Sequence, residues 1–260
     1  MTTPPGSPKS MISARQTRRA VLENARDNGF HPGTIIDVGF AVGTEGLYGV
    51  FEDVHHLLIE PVAELEPAMA RFCQTHPNSS YLVAAVSETA GEQSMVVRRV
   101  VGASSFHGTL KTGDAEMRQV PTFSLDQLVR ERDLPKPYLL KMDIEGHELH
   151  ALRGAREVCL EDTEMVILEV NTWMETRKRG SASMMDLFTF MDAHGFVFYD
   201  LIEPNYRPHD KALAVFDGVW VKTDSILRSK RSHRGAEDRS ISKERKAGRA
   251  NPYFSGPSSD

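Results

Sequence analysis

Acidic residues stand at the ends of short apolar runs at three places in the chain. They are Asp37 after the run 34–36, Glu60 after the run 57–59, and Asp143 after the run 138–142. Short apolar runs that end in polar or Gly-rich segments predict buried strands. Open α/β sheets bind ligands at the carboxyl ends of their strands, so we expect these acids to face a ligand crevice.

The loop after the first run is rich in glycine, with Gly39, Gly43 and Gly46 close to Asp37. Glycines let the backbone approach a nucleoside or an amino acid closely, and we expect a helix after the loop to offer free N–H groups to a carboxylate. A simple turn is the alternative interpretation.

Glu60 follows this loop by about twenty residues and could accept hydrogen bonds from ribose hydroxyls, as acids do in nucleoside-binding sites of this type. The alternative is a solvated carboxylate. The loop lacks the GxGxxG spacing that cradles a pyrophosphate, so it favours S-adenosylmethionine over a dinucleotide.

The pattern between these acids predicts strands that alternate with helices. We expect helices over 13–29, 62–76, 125–132, 148–159 and 184–194, and strands over 34–38, 56–60, 81–86, 138–143, 165–170, 196–201 and 218–222. Alternation of this kind predicts an open α/β sheet of mostly parallel strands with helices on both faces. The last two strands are joined by a loop too short for a helix, so they should pair antiparallel.

One motif is more specific than the rest of the sequence. The run Leu140-Lys141-Met142-Asp143-Ile144-Glu145-Gly146-His147-Glu148, followed by Leu152-Arg153-Gly154-Ala155, resembles the central motif of FkbM-type methyltransferases. The resemblance extends over about residues 33–222. It implies the Rossmann-like class I methyltransferase fold, an open and mostly parallel seven-stranded sheet with an antiparallel last strand. Phe40 and Ala41 depart from the Gly-Ala-Asn of the family's first loop.

The resemblance also implies roles for individual residues. It predicts that S-adenosylmethionine is held by Gly39, Gly43 and Glu60, with Asp37 orienting the loop and Ala85 near the adenine. Asp143 is expected at the cofactor as well, because it lies where the fourth strand meets the crevice. Asp143 is the first candidate for catalysis or for positioning the acceptor. His147 is a second candidate, as a base whose ordinary pKa lies near neutrality, although a histidine at a strand-to-helix turn is often only a cap.

Glu145 and Glu148 are interpreted as residues that stabilise the start of the following helix, where acids interact favourably with the helix dipole. Asp143, Glu169 and Asn171 could instead supply oxygen ligands to Mg²⁺, which is a possible cofactor but not an expected one.

Composition limits the function further. The net charge is −5, although nine Lys and Arg residues against three acids make the stretch 228–249 basic. An acidic body argues against a nucleic-acid partner, whose phosphates require a basic surface. Two cysteines without metal-binding spacing predict neither a disulfide nor a zinc site. Without a signal sequence or a membrane span in the chain, we expect a cytoplasmic protein.

We therefore expect a methyltransferase domain over 13–224 between a disordered tail at 1–12 and a basic, disordered tail at 225–260. The expected reaction is O-methylation of a hydroxyl on a small molecule or sugar. The alternatives are a module that binds S-adenosylmethionine without catalysis, a methyltransferase acting on nitrogen or on a macromolecule, and, least favoured, an NAD-dependent oxidoreductase. The sequence predicts no oligomeric state.

Overall fold

The centre of the protein is a seven-stranded sheet. The structure is a computed structural model that describes residues 17–98, 115–172 and 181–230. The strands of this main sheet are β1 (Thr34–Val38), β2 (His55–Ile59), β3 (Ser79–Leu82), β7 (Tyr138–Met142), β8 (Thr163–Asn171), β9 (Phe196–Tyr206) and β10 (Leu213–Lys222). Their spatial order is β3-β2-β1-β7-β8-β10-β9, and β10 runs antiparallel to both of its neighbours. The predicted open, mostly parallel sheet with an antiparallel last strand is confirmed.

The middle of the sheet is formed by β1 and β7, which pair in parallel. Every residue of both strands is buried, as expected where a parallel sheet is covered on both faces. The chain passes from β1 to β2 and β3 on one side of the sheet, and it then returns to β7 and continues on the other side. This reversal opens a crevice at the carboxyl ends of β1 and β7, where such sheets bind ligands.

Helices cover both faces of the main sheet, as predicted. They are α1 (Arg18–Asp27), α2 (Glu66–Thr75), α3 (Leu125–Arg132), α4 (Glu148–Arg153), α5 (Cys159–Asp162) and α6 (Met184–Ala193). Alternate residues of the strands enter two separate cores: Leu140 packs with the α3, α4 and α6 side, and Leu139 packs with the α1 side. Side-chain oxygens of Ser124 and Ser183 cap α3 and α6 by accepting backbone N–H bonds.

A second, smaller sheet stands beside the main one. It contains β4 (Ala85–Val86), β5 (Gly91–Arg98) and β6 (Ala115–Phe123), in the order β4-β6-β5. The single strand predicted over 81–86 is therefore wrong. The run divides at Val83 and Ala84, so that its first part completes the main sheet and its second part pairs with β6.

Two helix predictions also need correction. The loop from Gly39 to Val54 contains no helix, because residues in left-handed conformation interrupt it repeatedly, including Ala41 and Asp53. The helix predicted over 148–159 is divided into α4 and α5. The break follows Gly154, where a Cβ atom would lie 2.2 Å from the carbonyl oxygen of Ser87.

Most of the two predicted tails lies outside the described residues. Residues 225–230 are described, and they include a 3₁₀ turn at Ile226–Arg228. In the parts of the chain that the structure describes, no helix is long and apolar enough to cross a membrane.

Candidate active site

A cavity of about 730 Å³ lies between the carboxyl ends of the main sheet and the inner face of the second sheet. The main sheet contributes the loops after β1, β2 and β7 together with residues of β8, β9 and β10. The opposite wall comes from β4, β5 and β6. This volume lies within the range of about 300–1,000 Å³ that is typical of small-molecule sites.

Gly39, one of the predicted site residues, lies in the wall of this cavity. Its φ of +83° is left-handed, and a Cβ atom there would lie 2.0 Å from the carbonyl oxygen of Asp143. The loop after β1 and the turn after β7 are therefore packed directly against each other. Gly43 lies elsewhere: it is exposed, its N–H donates to the Phe40 carbonyl at 2.8 Å, and it borders a separate groove beside α2.

Asp37 lies beneath the cavity rather than in its wall. One carboxylate oxygen is 3.0 Å from Nζ of Lys141, and the other accepts hydrogen bonds from the hydroxyls of Thr44, at 2.8 Å, and Tyr48. Lys141 also donates to the carbonyl of Gly39 at 3.0 Å. Burial and the Asp37 carboxylate raise the pKa of Tyr48, which keeps its hydroxyl a donor.

Lys141 belongs to the central motif, but the sequence alone does not predict its role. The signal available was a lysine inside an otherwise apolar strand, because lysine is almost never fully buried without a partner. Its side chain is only 3% exposed. The lysine thus joins β7 to the loop after β1 from below.

Glu60 lies in the cavity wall with its carboxylate fixed by two backbone groups. One oxygen accepts from the N–H of Ala41 at 2.9 Å and the other from the N–H of Val62 at 3.1 Å. Burial raises the pKa of Glu60, while these two bonds act in the opposite direction. Ala85 lines the same cavity from β4, packing in one apolar cluster with Val62.

Asp143 reaches the cavity next to two further carboxyl groups, those of Glu145 and Glu169. The Asp143 side chain is 46% exposed, and its carboxylate lies 4.0 Å from Nζ of Lys141. Burial, followed by the charge of Asp143, raises the pKa of Glu169 well above its usual range. Burial and Asp143 likewise raise the pKa of Glu145 to about 7. This wall of the cavity therefore holds exchangeable protons near neutral pH.

The turn that carries Asp143 and Glu145 is fixed by Glu148. This buried carboxyl accepts the N–H of Ile144 at 3.0 Å and the N–H of Gly146 at 3.2 Å. Burial raises the pKa of Glu148 to about 7, against the effect of those backbone bonds. Glu145, between the two bonded peptides, has a left-handed φ of +56°. The sequence interpretation placed Glu148 at the start of a helix, and its contacts also fix the preceding turn.

His147 is buried and contributes no atom to the cavity wall. Its Nε2 is hydrogen-bonded to the hydroxyl of Ser87 at 3.1 Å, and its ring stacks on that of His150. Ser87 in turn accepts a bond from the side-chain amide of Gln93 on β5. His147 therefore links α4 to the second sheet, and the structure places it apart from Asp143, Glu60 and Gly39 at the cavity.

The mouth of the cavity carries an ion-pair network. Two guanidinium nitrogens of Arg118 lie 2.7 Å from the two carboxylate oxygens of Glu64, and Arg118 also pairs with Glu116. The network connects β6 to the 3₁₀ turn Ala63–Leu65, which follows the Glu60 loop. Among the residues that the structure describes, no group of three or more His, Cys, Asp or Glu side chains is arranged to hold a metal ion.

A family model described as the methyltransferase FkbM domain matches residues 44–198. The chain is 34% identical over 71 residues to the hexuronic acid methyltransferase AglP of Haloferax volcanii, covering 27% of this chain and 29% of that protein. It therefore spans less than a third of that curated relative.

The solved structures similar to this chain include two methyltransferases. Methyltransferase FkbM from Methylobacillus flagellatus KT aligns with a TM-score of 0.49 at 16% identity, over 79% of this chain and 48% of that one. The 1,6-didemethyltoxoflavin-N1-methyltransferase from Burkholderia thailandensis aligns with a TM-score of 0.42 at 14% identity, over 80% and 77% of the two chains.

The matched residues 44–198 make up more than half of the 260-residue chain. They contain the central motif at 140–155, on which the sequence resemblance rests, but they begin after Gly39 and Gly43. The sheet order and the antiparallel β10 are those expected for the class I methyltransferase fold. The chain therefore belongs to the FkbM family of S-adenosylmethionine-dependent methyltransferases.

Proposed function

We propose that this methyltransferase methylates a hydroxyl group on a sugar or another small polyhydroxylated molecule. The observation that carries the proposal is the wall formed by Asp143, Glu145 and Glu169 in a cavity of about 730 Å³. Carboxyl groups in a cavity can bind neighbouring hydroxyls and accept a proton from one of them. The cavity volume is sufficient for a methyl donor and a small acceptor together.

The donor half of the site fits S-adenosylmethionine. Glu60 offers a fixed carboxylate for the ribose hydroxyls, and Gly39 lies in the cavity wall, where the absence of a side chain lets its loop pack against the turn after β7. Ala85 and Val62 supply an apolar surface for the adenine, and the carboxylates at the other end favour a sulfonium. When bound, this cofactor supplies an activated methyl group.

Asp37 and Gly43 act on the donor site indirectly in this proposal. Asp37 holds Lys141, and Lys141 holds the carbonyl of Gly39. The loop that contains Gly43 closes over Asp37 through the hydroxyls of Thr44 and Tyr48. The predicted contact of Gly43 with the cofactor is not part of the proposal, because Gly43 lies on the other side of the loop.

The acceptor half is Asp143 with its neighbours. We assign to Asp143 the positioning of the acceptor hydroxyl, because it is exposed to the cavity and adjacent to both Glu145 and Glu169. A sugar presents several hydroxyl groups to such a wall, and the partial likeness to a hexuronic acid methyltransferase supports this class of acceptor.

The first experiment is calorimetric titration with S-adenosylhomocysteine, with NAD as the control ligand. Micromolar binding of the first compound alone is expected. Methyl transfer from labelled S-adenosylmethionine is then measured over a panel of sugars, sugar acids and matched deoxy sugars. Failure to bind S-adenosylhomocysteine, or methylation of amines rather than hydroxyls, would contradict the proposal.

Two substitutions separate the halves of the site. Glu60→Ala should weaken S-adenosylhomocysteine binding by roughly 30-fold, equivalent to about 2 kcal/mol for charge-assisted hydrogen bonds. Asp143→Ala should lower kcat by roughly 10²-fold, because the acceptor hydroxyl is no longer held in position, while changing that binding much less. Glu52→Ala, an exposed loop residue before β2, is the control that should change neither quantity. Equal effects of the first two variants on binding would refute the division.

A further inference from the structure

The turn after β7 holds Glu145 in a conformation that an unconstrained chain would avoid. Its φ of +56° is left-handed, a region in which residues other than glycine are uncommon. Glu148 accepts the N–H groups of Ile144 and Gly146, which flank Glu145 on both sides. Strained backbone that is fixed by its surroundings is concentrated at functional sites. The Glu145 side chain lies in the cavity wall beside Asp143.

We propose that Glu145 is the general base of the methyl transfer and that Glu148 is its positioning residue. This inference rests on the proposed function. The acceptor oxygen forms a bond to the methyl carbon while the bond between that carbon and sulphur breaks, and the electron pair of the broken bond stays on sulphur. In the same step Glu145 takes the hydroxyl proton. The products are a methyl ether, neutral S-adenosylhomocysteine and a protonated Glu145, which returns its proton to solvent.

The groups around Glu145 suit this role. Burial, followed by the charge of Asp143 at the end of β7, raises its pKa to about 7, while Arg98 on β5 acts in the opposite direction. Glu169 on β8 adjoins Asp143, and burial followed by the charge of Asp143 raises the pKa of Glu169 well above its usual range. A base is most effective when its pKa lies near the working pH. Glu145 meets this condition and is exposed to the cavity, whereas His147 lies outside the cavity wall.

A base of this kind also limits the acceptor. A hydroxyl group must lose a proton during methylation, whereas a carboxylate that is converted to a methyl ester has none to lose. A base at Glu145 therefore predicts that the site methylates a hydroxyl group of a sugar rather than a sugar carboxylate. With a sugar acid as acceptor, the product is expected to carry a methyl ether and an unmodified carboxyl group.

The test compares wild type with Glu145→Gln, Glu145→Asp and Arg98→Gln in the full chain. In wild type, kcat/KM for the acceptor should rise with pH through about 7, because this ratio reports the free enzyme and the base acts when it is deprotonated. Glu145→Gln should lower kcat by roughly 10²–10⁴-fold and remove that rise, with S-adenosylhomocysteine affinity and thermal unfolding unchanged. Glu145→Asp should recover part of the rate. Arg98→Gln should move the rise to higher pH, since it removes a positive charge near Glu145.

A second measurement does not depend on turnover. In protein labelled with ¹³C at the glutamate carboxyl carbons, the resonances of Glu145 and Glu148 should both titrate near pH 7. The Glu145 resonance should disappear in Glu145→Gln and should titrate at higher pH in Arg98→Gln. If wild type methylates no hydroxyl, the proposed function fails and the inference fails with it. If wild type is active while Glu145→Gln keeps its rate and pH profile, the inference alone is overturned.

Discussion

Removal of the Lys141 ammonium tests how the two central strands are held together beneath the cavity. The Lys141 side chain is 3% exposed and that of Asp37 is fully buried, with 3.0 Å between Nζ and the carboxylate oxygen. Lys141→Met keeps most of the volume but leaves Asp37 charged and uncompensated. Breaking a buried ion pair in this way costs roughly 3–5 kcal/mol.

Urea denaturation measures this cost directly. With a slope of about 3 kcal/mol per M for a protein of this size, the midpoint of Lys141→Met should fall by about 1–1.7 M. The double variant Asp37→Asn with Lys141→Met removes both charges, and the neutral amide oxygen still accepts from Thr44. We expect the double variant to recover at least half of the lost stability, which a double-mutant cycle would report as coupling between the sites.

The exposed pair of Lys136 and Asp162 is the matched control, with its lysine 59% exposed. Lys136→Met should cost at most about 1 kcal/mol, because exposed ion pairs contribute little. If Lys141→Met stays within 1 kcal/mol of wild type, the buried pair does not hold the loop, and the account of how Gly39 is positioned would be refuted.

Two further substitutions test contacts seen around the site. Gly39→Ala should weaken S-adenosylhomocysteine binding by more than about tenfold, because its Cβ would collide with the Asp143 carbonyl. Gly49 has a similar φ of +73° and nothing within 4 Å of the added Cβ, so Gly49→Ala should cost only about 1–2 kcal/mol of backbone strain. Equal affinities of the two variants for S-adenosylhomocysteine would contradict the packing argument. Asp126→Ala removes the acceptor of three backbone N–H groups at the start of α5. Urea denaturation should show that this variant lowers the free energy of unfolding by about 3–5 kcal/mol, while its affinity for S-adenosylhomocysteine is unchanged.

The centre of the main sheet could be predicted from sequence because its strands there are short, mostly apolar runs. Every residue of β1 and β7 is buried, so each strand can be recognised from its own sequence, without information on the strands beside it. The placement of Glu60 and Asp143 at one cavity followed from the rule that parallel strands end at the same edge. Family membership followed from the motif at 140–155, which is far more specific than the glycine loop.

The second sheet could not be predicted in the same way. The division between β3 and β4 has no local signal, since Val83 and Ala84 continue the apolar run. Only the partners, β2 on one side and β6 on the other, determine where the first strand ends. Gly154 is a similar case, because a side chain at this position is excluded by the carbonyl of Ser87, which lies far away in sequence.

The roles of individual residues in the central motif also could not be predicted from their spacing. His147 and Glu145 both follow Asp143 closely, and the ordinary pKa of a free histidine favoured His147 as a base. The geometry of the turn reverses that preference, because Glu145 faces the cavity and His147 faces Ser87. Burial and neighbouring charge then raise the pKa of a glutamate into the range that sequence reasoning reserves for histidine.

The cavity wall opposite the carboxylates has a consequence for any attempt to engineer the acceptor range. The paired strands β5 and β6 form much of that wall, whereas Gly39 and Glu60 belong to the loops after β1 and β2. Met95 and Val97 of β5 are buried in one apolar cluster with Val62 and Ala85, which form the proposed adenine surface. A directed-evolution library at these two positions would therefore change the donor site together with the wall, so each variant has to be screened for S-adenosylhomocysteine binding before it is screened for new acceptors.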